Sequence, residues 1–98
     1  MDIGEFQETL KLETPPSDLT PPLLAMWHDA KGDWEQAHEL AQDILSTVGY
    51  HIHAYLHRKE GDVGNAKYWY SSAKQAFPSV TLEDEWLQIV ELLLQSNS

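Results

Sequence analysis

A chain of 98 residues with 42% apolar content is one domain's worth of sequence, with enough hydrophobic side chains for a modest core and too many for wholesale disorder. Sixteen acidic residues against six basic ones leave a net charge of −10, which excludes the basic footprint that nucleic acids and anionic membranes require. The absence of cysteine excludes disulfides, thiolate metal sites and cysteine nucleophiles, and it fits a cytoplasmic protein.

The start of the chain, Met1-Asp2-Ile3-Gly4-Glu5, lacks the basic segment and apolar run of a signal peptide. Ile3, Phe6 and Leu10 fall at helical spacing and predict a short amphipathic helix over 3–11. The prolines between Thr14 and Pro22 then break the helix and mark a linker. Thr20 followed by Pro21 is a helix start, because proline's missing N–H costs nothing in the first turn. The next helix is expected over 21–31, burying Leu23, Leu24 and Trp27.

Gly32 ends that helix in a left-handed conformation, and Asp33 with Gln36 opens the next. Its apolar stripe is Trp34, Ala37, Ala41, Ile44 and Leu45. After a turn at Ser46-Thr47, a helix over 48–60 carries Val48, Ile52, Tyr55 and Leu56. Gly61-Asp62 repeats the stop-and-start device of Gly32-Asp33. Ala66, Trp69, Tyr70 and Ala73 define a helix over 62–75, closed by Phe77-Pro78. Thr81 and Asp84 start a last helix with Trp86, Ile89, Val90 and Leu93 on its apolar face. Leu92-Leu93-Leu94 is far too short to span a bilayer. No segment alternates with period two, so no strands are expected.

The chain contains an internal duplication. The stretch from Ala25 to Ala37 matches that from Ala54 to Ala66, with identity at the first alanine, the histidine (His28 and His57), the Gly-Asp pair and the last alanine. A repeated unit with one helix break is a solenoid signature. The second unit resembles a tetratricopeptide repeat: Ala54 matches the small residue at the helix crossing, Gly61-Asp62 the turn, and Ala66, Tyr70, Ala73 and Pro78 the second-helix pattern. The first unit shares Ala25, Gly32-Asp33 and Ala37, but Ala41 stands where that family has an aromatic. The resemblance implies an all-α array: an N-terminal helix and linker over 1–20, hairpins over 21–46 and 47–78, and a capping helix and tail over 79–98 that docks on the last hairpin. Over nearly the whole length, Trp27-His28-Asp29-Ala30-Lys31-Gly32-Asp33-Trp34 and the string from His53 to Asp62, followed by Asn65-Ala66 and Tyr68-Trp69-Tyr70, also resemble a group of small uncharacterised bacterial proteins. That likeness implies a bacterial source and no activity.

Three functional expectations follow. By tetratricopeptide geometry the first helix of each hairpin lines a concave surface. Met26, Asp29, His51, Tyr55, Arg58 and Lys59 would lie there, so the chain is expected to be a protein-interaction module. An aromatic flanked by cations suits a peptide carboxylate. The alternative is a metal site. His53 and His57 share a helix face, His28 is the repeat equivalent of His57, and His38 faces the same seam, with Asp29 or Glu60 to complete the coordination. The plainer reading of these histidines is packing and hydrogen bonding at a helix seam. The third expectation is a homodimer of purely structural role. With no nucleophile elbow and no phosphate loop, no catalysis and no cofactor are expected.

The alanines at the crossing generate a test. Ala54→Leu overpacks the approach of the two helices and costs roughly 1–3 kcal/mol, seen as a lower denaturant midpoint; an unchanged midpoint places the crossing elsewhere.

Overall fold

In the computed structural model, residues 1–96 are described, and they form six helices with no strand among them. These are α1 (Ile3–Thr9), α2 (Pro21–Ala30), α3 (Trp34–Gln42), α4 (Thr47–Glu60), α5 (Val63–Ser72) and α6 (Leu82–Ser96). Among the described residues, no helix is long and apolar enough to cross a membrane.

Local chemistry places the boundaries. Asp2 and Glu5 form a reciprocal capping box on α1. The two Gly-Asp turns have the same construction. Gly32 and Gly61 adopt φ of 85° and 89°, where a side chain would be strained. The N–H of Asp33 donates to the His28 carbonyl and that of Asp62 to the His57 carbonyl, both at 2.9 Å. Each aspartate then caps the next helix, accepting from Gln36 N–H at 3.2 Å and Asn65 N–H at 3.3 Å. The Asp84 N–H donates to Thr81 Oγ1 at 3.1 Å, the start signal expected for α6.

Because each turn is short, α2 folds back on α3 and α4 on α5, and α3 packs against α4 between the two pairs. Ala25, Ala37, Ala54 and Ala66 are all fully buried, as close helix approach requires. Trp34 ties the pairs together, its indole N–H donating to the Leu56 carbonyl at 2.8 Å.

The last helix reaches further than expected. α6 docks on the last hairpin through α4 and through Tyr70 of α5, and it also lies across α2 and meets α1. Trp86 donates to the Met26 carbonyl at 3.2 Å, and Ile89, Val90 and Leu93 complete one core with Phe6, Met26, Trp27, Ile52 and Leu56. α2 and α4 jointly present the apolar face that covers these side chains. α1 is held by Phe6 against Trp86 and by Lys31, whose ammonium caps the Leu10 and Leu12 carbonyls at 2.7 and 3.0 Å.

Two helix ends also differ. α3 stops at Gln42, so Ile44 and Leu45 leave its stripe and Leu45 is 81% exposed. α5 stops at Ser72, before Phe77-Pro78, and the chain turns through Lys74 at a φ of 61°. The early end of α3 folds the chain tightly onto the start of α4. A Cβ on Gly49 would fall 1.9 Å from the Ile44 carbonyl oxygen, which is backbone and has little freedom to yield. Gly49→Ala is therefore expected to cost roughly 1–3 kcal/mol in chemical denaturation, although alanine favours helices elsewhere.

Candidate functional site

The seam between α3 and α4 gathers three of the five histidines. His53 and His57 lie one turn apart on α4, and His38 reaches them from α3. One ring nitrogen of each lies within 4.8 Å of the others. The Nε2 atoms of His38 and His53 are 2.9 Å apart, a hydrogen bond in which one neutral ring donates and the other accepts. The His57 Nδ1–H donates to Glu60 Oε1 at 2.7 Å, which orients the ring.

Indoles hold two of these rings. Trp34 stacks on His38 at 4.8 Å and Trp69 on His53 at 4.2 Å, with interplanar angles of 12° and 20°. His53 and His57 are themselves stacked at 4.7 Å, and His38 stands edge-on to both. His53 and His57 are buried, whereas His38 keeps partial access to solvent. Burial, reinforced by the charges His38 and His57 would carry, pushes the His53 imidazolium down to about 4. Burial and then His57 also lower His38. His38 and His53 are thus held uncharged at neutral pH, with their Nε2 atoms facing each other.

Two other faces of α4 meet buried carboxylates from α2 and α6. Asp29 of α2 accepts from Tyr55 OH and from Lys59 Nζ, each at 2.9 Å. Burial, then Asp29, raises the Tyr55 phenol far out of its ordinary range, so it stays a donor. Glu85 of α6 accepts from Arg58 at 2.8 Å and Tyr70 at 2.6 Å, with His51 at 3.5 Å. Burial acts to raise the Glu85 carboxyl, but the donors from His51, Tyr70 and Arg58 outweigh it and hold the carboxyl below its usual range. Among the described residues, no buried side-chain nitrogen or oxygen lacks a partner.

The expected site residues therefore divide. His38, His53 and His57 converge, while His28 does not; its ring packs edge-on to Trp27. His57 faces the second helix of a preceding unit, and His28 belongs to the first unit, so it has none to face. Asp29 cannot complete the histidine cluster, since Tyr55 and Lys59 take it on another face of α4. The open concave surface is also corrected. Met26, Asp29 and Tyr55 are buried, Arg58 and His51 are engaged with Glu85, and only Lys59 keeps substantial exposure at 39%. The sequence reading missed the roles of Trp34, Trp69 and Glu85. The spacing of Trp34 and His38, one turn apart, was the available signal for the first.

Compared with known proteins, the chain matches no protein-family model, no curated protein and no solved structure.

The depressed histidines set an acid limb. In the unfolded chain these rings protonate near pH 6.5, whereas folded His53 does so near 4, so the unfolded state binds the extra proton in between. This contribution to stability is complete above about pH 6.5 and is lost as pH falls towards 4. Thermal melts of metal-free protein are expected to weaken from about pH 6.5 downward. In His38→Gln/His53→Gln the decline begins only in the ordinary carboxylate range, where the unfolded chain takes up the proton that folded Glu85 still resists; an identical onset in both proteins refutes this assignment.

Proposed function

We propose that this protein binds a divalent transition-metal ion through His38, His53 and His57, on a helical-repeat scaffold of tetratricopeptide type. The observation that carries the reading is the convergence of three imidazoles on one seam, with nitrogens within 4.8 Å of one another. Three supports accompany it. Glu60 on the outer nitrogen of His57 is the carboxylate–histidine arrangement that orients metal ligands. Trp34 and Trp69 restrict two ring planes, so less conformational freedom is lost on binding. An all-imidazole donor set without thiolate suits zinc, copper or nickel better than calcium or magnesium.

Tetrahedral coordination with bonds of about 2.05 Å separates ligand nitrogens by roughly 3.3 Å. The His38–His53 pair, at 2.9 Å, has to open by a few tenths of an ångström and exchange its hydrogen bond for two metal bonds. The partial exposure of His38 gives an ion a way in and leaves a position for water or a further ligand. The scaffold reading rests on the duplicated turns, with equivalent glycines in the same left-handed conformation and equivalent aspartates capping. This proposal takes precedence over the interaction-module expectation, because Met26, Asp29 and Tyr55 are buried and Arg58 is paired with Glu85.

Metal-stripped protein titrated calorimetrically with Zn²⁺, Cu²⁺ or Ni²⁺ is expected to bind one ion, with Cu²⁺ quenching the fluorescence of the stacked tryptophans. His38→Gln and His53→Ala should each abolish this site, and Glu60→Gln should weaken it about 10–100-fold. His28→Gln should change nothing. Equal losses from His28→Gln and His38→Gln, or no saturable binding, defeat the reading.

A further inference from the structure

A second feature lies on the other side of α4, independent of the histidines. α1, α2, α4 and α6 enclose a groove of about 530 Å³, within the range of small-molecule sites and too small to seat a protein domain. Leu10, Leu82, Trp86 and Leu87 supply apolar walls drawn from α6 and the end of α1. Asp29 and Tyr55, both buried, mark its inner end, where Lys59, itself 39% exposed, pairs with Asp29, and Gln7, Ala30 and Glu83 are exposed at its rim.

The charges decide what fits. Asp29 and Glu83 face one ammonium, Lys59, among the residues lining the groove, so its balance is one negative charge. Lys59 is paired to Asp29, whose second oxygen accepts from Tyr55, so the inner end is neutral and occupied. Lys31, the nearby cation, is engaged with the Leu10 and Leu12 carbonyls. That leaves Glu83, exposed and with no hydrogen-bond or ion-pair partner shown, as the uncompensated charge beside an apolar trough. The last turns of α2 and α4 also end at the groove, and helix C-termini favour positive charge.

We infer that this groove binds a small organic amine: an alkyl or aryl body packed against Leu10, Leu82, Trp86 and Leu87, with its ammonium received by Glu83. A carboxylate of the same shape meets the groove's surplus negative charge and the field of a chain with net charge −10. A dication gains nothing at the inner end, where Asp29 is already satisfied.

The test uses full-length protein and three matched probes: n-hexylammonium, hexanoate and 1-hexanol. Binding is followed by calorimetry and by the ¹⁵N-resolved indole resonance of Trp86. Hexylammonium is expected to bind at least tenfold tighter than either other probe and to shift Trp86. Glu83→Gln, an exposed change that leaves the core intact, should erase that advantage while retaining the weak binding of hexanol. His38→Gln, which removes the histidine cluster, should leave amine affinity unchanged. Hexanoate binding as tightly as hexylammonium, an advantage surviving Glu83→Gln, or no response from Trp86 to any probe overturns the assignment.

Discussion

A buried carboxylate on the last helix organises this small molecule. Glu85 is 2% exposed, and a charge in that position is tolerable only if its oxygens are bonded. α4 provides Arg58 and His51, and α5 provides Tyr70. Arg58 also donates to the Val80 carbonyl, so one guanidinium holds both the approach to α6 and its first turn. Placement of Glu85 fixes the rotation of α6, and that rotation aims Trp86, Ile89, Val90 and Leu93 into the groove between α2 and α4.

α4 is consequently surrounded. One face carries His53 and His57 to α3, another carries Tyr55 and Lys59 to Asp29, and a third carries His51 and Arg58 to Glu85. A helix with so many polar residues on its buried sides has only a weak apolar stripe of its own. Its stability comes from satisfied polar pairs on several neighbours, and such pairs specify a unique arrangement more than they add net energy. The proposed metal site and the proposed amine groove occupy separate faces of this one helix, which explains how 98 residues accommodate both.

Much of the secondary structure was legible because its signals are local. The Gly-Asp turns, the Asp33 and Asp62 caps and the Thr81 start act within a few residues, and all appear where expected. The ends of α3 and α5 were overestimated because apolar spacing continued past Gln42 and Ser72, while tight turns at Ile44 and Lys74 took over. The histidine cluster was half legible. The one-turn spacing of His53 and His57 is a property of any helix, but whether His38 or His28 would join them depended on which helices become neighbours.

By itself, the sequence determined an all-helical chain, its breaks, the duplicated turns and the small residues that let paired helices approach. Those follow from backbone preferences and side-chain size, which neighbouring residues control. Only the tertiary structure decided where α6 would lie, and with it the fate of Met26, Asp29 and Tyr55. An amphipathic helix states that it has an apolar face without stating which surface will cover it. That choice fell to the apolar surface that α2 and α4 share and to one carboxylate that had to find its donors in Arg58, Tyr70 and His51.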